Sequence, residues 1–394
     1  MLTGSRSNRR CLGCGDEIEK GCKKREGEGG TAPNIAGDVV ATQIHLAGEM
    51  LKLMFMKVLM HCLQRYHPNG WMADVCPVEI TKKIMQNLSI ADLMLYGATS
   101  SVNYKIMHEA LAARFVDALK PFRLCPNDFI HILHRHWAIV ASSFALYIFD
   151  PSGVWFLKDL DIYVPNHRVK HVVKRLRAHG YIPIRAVRKA SSRSSYDQPI
   201  VSVTTLTNGD RSIDVVESTM RSSISPIFQF HLTAVMNYIS STGFFSAYPT
   251  LMSAQRSLYN HVHYKGNTPT QALLSCYTKY RMRGYELHAS SKEWADAEGK
   301  THRCQHSFDC PHRIHTLYDP GCLFVGWHTK VSRLQAEETQ PQRRCFDNRQ
   351  APVWCLGGDS CDGEREPIRP FMTMKGAESL FDGVTEDESF GSSG

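Results

Sequence analysis

Apolar residues from Ile44 to Phe122 recur three or four positions apart with no long polar turn between them, and this spacing predicts three helices. Ser89 stands where an N-cap would open one of them, and Asp92 takes the place of the acid in a capping box. From Trp137 to Val216 the pattern changes to alternating strands and helices. Ala138 to Val140 predicts a buried strand, Ser142 to Phe149 the start of a helix, and Asp150-Pro151-Ser152-Gly153 a turn. Leu157 to Val164 alternates, so Leu160 and Ile162 share one face while Asp159, Asp161 and Tyr163 share the other. Pro165 closes that strand, and His167 to His179 predicts a helix with Val169, Val172, Val173 and Leu176 at core spacing and Gly180 as its C′ residue. Ile200 to Leu206 and Arg211 to Val216 are β-rich runs joined by Thr207-Asn208-Gly209-Asp210, a strong hairpin signal. In the second run Ile213 and Val215 share a face and leave Asp214 on the other, on a strand that could lie beside the first acids. Pro226 to Thr242 predicts a helix carrying Phe230, His231, Thr233 and Asn237, followed by a further element from Thr250 to Tyr264.

The fold class expected is therefore α/β (α+β), a mixed sheet with flanking helices behind a small helical segment. Residues 1–40 are Gly-rich and charged, and 337–394 are polar and end near Glu386, Asp387 and Glu388, so both are expected to stay disordered. Between them lie a helical segment at 44–122, the α/β domain at 130–290 and a Cys/His-containing segment at 300–330. The most apolar stretch, Ile44 to Tyr66, is broken by Glu49, Lys52 and Lys57 and is expected to be a Met-rich helix rather than a membrane span. No secretory signal is evident at the N-terminus, and the expected compartment is cytosol or nucleus. Thirteen cysteines, an odd number without a disulfide-like frame, agree with reduced thiols. A formal charge of +8 is a mild excess that favours phosphate-bearing partners without making nucleic acid the expected one.

Like-charged carboxylates on one strand face repel, and in an apolar domain a divalent cation is their simplest partner. At these residues the chain resembles the nucleotidyltransferase superfamily, whose signature is a Gly-Ser or Gly-Gly turn, an Asp-x-Asp strand and a later single acid. Here the turn is Ala141-Ser142-Ser143, the pair is Asp159-Leu160-Asp161 and the later acid is Asp214, so the resemblance spans 136–217. It implies that the three acids are catalytic and bind two ions, Mg²⁺ or Mn²⁺, for transfer of a nucleotidyl group, and that Ser142 and Ser143 meet the phosphates of a nucleoside triphosphate. Ser142 replaces the Gly that the family prefers, which leaves retained catalysis open. The central run also looks like that of fungal proteins with a nucleotidyltransferase-like domain. The plainer alternative puts Asp159 and Asp161 on an exposed edge strand, with Asp214 balancing Arg211.

Pro77, Glu79, Ile80, Ile84, Leu88, Ile90, Asp92, Leu93, Thr99 and Tyr104 resemble an F-box, a resemblance of about forty residues that implies a ubiquitin-ligase scaffold as partner and an adaptor without enzymatic activity. An ordinary helical hairpin is the alternative. Arg185, Arg188, Lys189 and Arg193 are expected to form a mobile basic loop, and the basic residues of 167–179 a solvated face. Cys304, His306, Cys310, His312, His315 and Cys322 invite a zinc reading, although their spacing matches no regular finger and a small packed loop with reduced thiols is the expectation.

Overall fold

The computed structural model describes residues 78–151, 156–188, 199–261, 269–327 and 351–358, with a strand at Phe371–Thr373. The expectations for 1–40, for Ile44 to Tyr66, for Lys189 and Arg193, and for most of 337–394 lie outside these residues.

Three helices, α1 (Val78–Met85), α2 (Ile90–Gly97) and α3 (Ser101–Leu119), open the described chain. The Ser89 hydroxyl accepts the Asp92 N–H at 3.2 Å and donates to the Asp92 carboxylate at 2.8 Å, so the expected cap forms. Ser100 caps α3 in the same way, accepting from the Asn103 N–H at 3.1 Å. Next come α4 (Pro126–His136), β1 (Ile139–Ala141), α5 (Ser142–Phe149), β2 (Asp159–Val164) and α6 (Val169–Ala178). Gly180 adopts φ 85° beyond α6, and the Tyr181 N–H reaches back to the Leu176 carbonyl at 3.2 Å, a left-handed helix end that favours glycine.

β3 (Ile182–Arg188), β4 (Ile200–Thr207) and β5 (Ser212–Ser218) follow, with β4 and β5 joined through the Asn208-Gly209 turn. Arg185 and Arg188, expected in a loop, therefore belong to a strand. Ile182, Ile184 and Val187 are exposed on β3, which lies at the sheet edge, a setting that tolerates Pro183 and the bulge beside it.

The helix expected from Pro226 to Thr242 is absent. Two short 3₁₀ turns, Ile227–Gln229 and Thr233–Val235, lead instead into β6 (Asn237–Ile239) and β7 (Gly243–Ser246). Hydroxyl groups tie this stretch to Ser257 and Leu258 instead: Ser257 Oγ accepts the Ala234 N–H, an amide a helix would have used, and Thr233 Oγ1 accepts the Leu258 N–H, each at 2.9 Å. Thr250 to Tyr264 likewise divides into the one-turn α7 (Pro249–Ser253) and β8 (Arg256–Leu258), and its last three residues lie outside those described. The chain continues through α8 (Gln271–Met282), β9 (Glu286–His288), α9 (Lys292–Ala297), β10 (His315–Thr316), β11 (Leu323–Gly326), β12 (Pro352–Trp354) and β13, the strand at 371–373.

Eight strands form one mixed sheet in the order β11-β7-β6-β1-β2-β5-β4-β3, in which only β2 and β5 run parallel. Gly243 is required where β7 meets β11, because a Cβ there would lie 2.2 Å from the Val325 carbonyl oxygen. Helices and sheet share one continuous apolar core that runs from Ile84 to Leu356. Part of the expected polar tail joins it: Trp354 is 1% exposed and stacks on Phe228 at 4.1 Å. Among the described residues no helix is long and apolar enough to cross a membrane.

Candidate functional site: a buried row of acids

Backbone pairing aligns a row of side chains across the sheet. Asp161 of β2 lies opposite Asp214 of β5 in the parallel pair and opposite Ala141 of β1 on its other side. Thr205 of β4 stands opposite Asp214, and Arg185 of β3 opposite Thr205. Register partners point to the same face, so Ala141, Asp161, Asp214, Thr205 and Arg185 form one row with steps of about 4.8 Å. Asp159, two residues before Asp161, shares this face and pairs with Ser212. The expected placement of Asp214 beside the first pair is therefore met.

The edge-strand alternative is not. β2 and β5 lie inside the sheet, and Asp161 and Asp214 are each only 7% exposed. Burial pushes the Asp161 carboxyl well above the ordinary carboxylate range, and the charges of Asp159 and Asp214 push it the same way; a hydrogen bond from Ser142 and the Lys279 ammonium pull against them. Burial likewise raises the Tyr163 phenol, whose hydroxyl lies 3.3 Å from Ser142 Oγ.

Ser142 occupies the turn between β1 and α5 at φ 60°, a left-handed conformation that favours glycine. Its hydroxyl meets Tyr163 and Asp161, and these polar contacts accompany the unfavourable backbone. Ser142 and Ser143 are both buried, and no side chain caps the α5 N-terminus. Because Ala141 pairs with Asp161, the first turn of α5 starts next to the acid row.

Lys279 and Tyr280 were not singled out from the sequence, yet both act electrostatically on this face from α8. A signal for α8 did exist: Leu273, Cys276, Tyr277 and Tyr280 follow helical spacing and are all buried, with Thr270 as N-cap. Nothing local in the sequence connects that helix to residues more than a hundred positions earlier.

The C-terminal Cys/His set is divided by the fold. Cys304 meets both Cys310 and His312, His315 bonds to Asp319 at 2.8 Å, Cys322 donates to the Ala247 carbonyl, and His306 is exposed. Among the described residues no three His, Cys, Asp or Glu side chains form a closed group able to hold a metal ion. The acids are aligned without being drawn together on one point. In comparisons with known proteins, the chain matches no family model and no curated protein.

Proposed function

We propose that the chain carries a nucleotidyltransferase-like centre, in which Asp159, Asp161 and Asp214 bind Mg²⁺ or Mn²⁺ and the Ser142-Ser143 turn receives the phosphates of a nucleoside triphosphate. The observation that carries this reading is the register that sets Asp161 between Asp214 and the residue preceding that turn. The donor set fits the ion: carboxylate oxygens suit hard cations, and a cation would offset both the burial and the neighbouring charges of Asp159 and Asp214 that raise Asp161. When bound, the ions supply charge stabilisation and activation of an acceptor hydroxyl for in-line transfer. The protein's own part is to hold and orient. The N-terminal amides of α5, which no side chain caps, would receive an anion, Ser142 bonds Asp161, and Lys279 and Arg185 add positive charge at the margins of the row.

Isothermal titration of Mn²⁺ and then ATP into the full chain tests this. Metal-dependent nucleotide binding is expected in the wild type and lost in the Asp159→Ala, Asp161→Ala double variant. Absence of binding in the folded wild type would sink the proposal.

A second reading, an F-box-type adaptor that recognises ubiquitin-ligase substrates without enzymatic activity, draws on the exposed Ile80 and Leu95 of α1 and α2. Ile84, Ile90 and Leu93 of the same pattern are buried in the shared core, which leaves a smaller surface for a scaffold partner. Capture of a ubiquitin-ligase scaffold by the wild type, abolished by Ile80→Asp with Leu95→Asp, would favour this reading over the enzyme.

A further inference from the structure

The chain beyond α9 has only turns until β10, and it holds a cluster far in sequence from the acid row. Cys304 Sγ lies 4.0 Å from Cys310 Sγ and 3.8 Å from His312 Nδ1. Neither cysteine is in a disulfide, and the sulfur separation is about twice an S–S bond length. It is close to the spacing of zinc ligands instead. Donors at ordinary zinc bond lengths on a tetrahedron stand about 3.8 Å apart for two sulfurs and about 3.6 Å for sulfur and nitrogen.

The surroundings prepare these atoms as ligands. His312 Nε2 lies 2.7 Å from the Gly358 carbonyl oxygen, which fixes the proton on Nε2 and leaves the Nδ1 lone pair facing Cys304. The Gln305 N–H donates to Cys310 Sγ at 3.2 Å, a contact that favours the thiolate, and Gln305 adopts φ 63° to make it. The frame is fixed on both sides. Arg303 N–H donates to Ser307 Oγ at 3.0 Å, and the Pro311 carbonyl accepts from both Leu356 and Gly357.

We propose that Cys304, Cys310 and His312 are three ligands of a structural Zn²⁺ that fastens the turn-rich loop to the 351–358 segment, with the fourth position filled by a donor outside these three. The contacts run in a line from Cys310 through Cys304 to His312, so the group is not yet closed, and the ion draws the three onto one point. Two thiol protons pass to solvent as the thiolates bind. Two thiolates and a neutral imidazole leave the site with no net charge, which suits Cys310 at 1% exposure. Thiolates also select zinc over the hard cations proposed for the carboxylates.

Titration of Co²⁺ into the metal-free full chain separates the two sites, because only thiolate ligands give sulfur-to-cobalt charge-transfer absorption in the near ultraviolet. One equivalent with this band is expected, lost in the Cys304→Ser, Cys310→Ser double variant and bound at least tenfold more weakly in His312→Ala. A wild type without the band, or a double variant that keeps it, overturns the assignment. Should the double variant fail to fold, the wild-type melt decides: chelation must lower Tm and Zn²⁺ must restore it, and an unchanged melt overturns the proposal.

Discussion

Asp161 concentrates the conflict between folding and charge. Its carboxyl is raised by burial first and then by Asp159 and Asp214, so the folded state holds its proton more tightly than the unfolded chain does. Between the ordinary carboxylate pKa of 3.8 and the raised folded value, the native state binds more protons than the unfolded state, and stability drawn from this group falls as pH rises. Asp161→Asn removes that dependence while keeping the side chain's size and polarity. In chelator-treated protein the variant should match wild type in acid and exceed it by about 1 kcal/mol or more at neutral pH. Denaturant unfolding at several pH values measures the difference. A variant less stable than wild type at neutral pH would show that the acid row is offset by partners stronger than Lys279.

At the scale of elements, Arg114 joins the helical segment to the α/β layer. Buried in α3, its guanidinium donates to the carbonyls of Met85 at the end of α1, Leu88 in the next turn, and Ile148 in the last turn of α5. Desolvation pulls it down to about 9, which leaves it charged at neutral pH, and the nearby charge of Asp150 supports that state. Asp150 also accepts from the Tyr285 hydroxyl at 2.9 Å, so three separate stretches of chain converge there. Arg114→Met removes a charged donor from three carbonyls and should destabilise by about 3 kcal/mol or more, whereas Arg114→Lys should retain part of the stability. Thermal melts of both variants against wild type test the order. Elements with one local cause were legible in the sequence: the alternation of β2, the Asn208-Gly209 hairpin, the Ser89 cap and the Gly180 helix end. β6, β7 and the preceding 3₁₀ turns were not, because 224–247 is buried on every side and carries no amphipathic period. Of the candidate site, the shared face of Asp159 and Asp161 followed from alternation, while the approach of Lys279 depends on tertiary packing that no short window encodes.

For the whole molecule, the shared core bears on whether the acid site can exist apart from its flanking chain. The α/β domain bounded in the sequence at 130–290 excludes α3, β11 and β12. Phe115 of α3 packs on Phe129, Phe144 and Trp327, with ring centroids 6.3, 6.2 and 5.2 Å away. Met107, Leu111, Phe115 and Leu119 are at most 1% exposed, and at about 1.5–3 kcal/mol each their burial contributes about 6–12 kcal/mol, comparable to the net stability of a whole domain. Beyond residue 290, the Trp327 indole after β11 donates to the Ser240 carbonyl at 3.0 Å and the Trp354 indole of β12 to the Tyr248 hydroxyl at 3.1 Å. A fragment of residues 130–290 loses both supports and exposes the apolar surfaces they cover. It should show no cooperative thermal transition by near-ultraviolet circular dichroism, while 78–373, which spans every described element, should melt in one transition close to that of the full chain. A 130–290 fragment that melts cooperatively near the full-chain Tm would mean that α3 and the strand at 352–354 decorate an independent domain, and the acid row could then be studied without them.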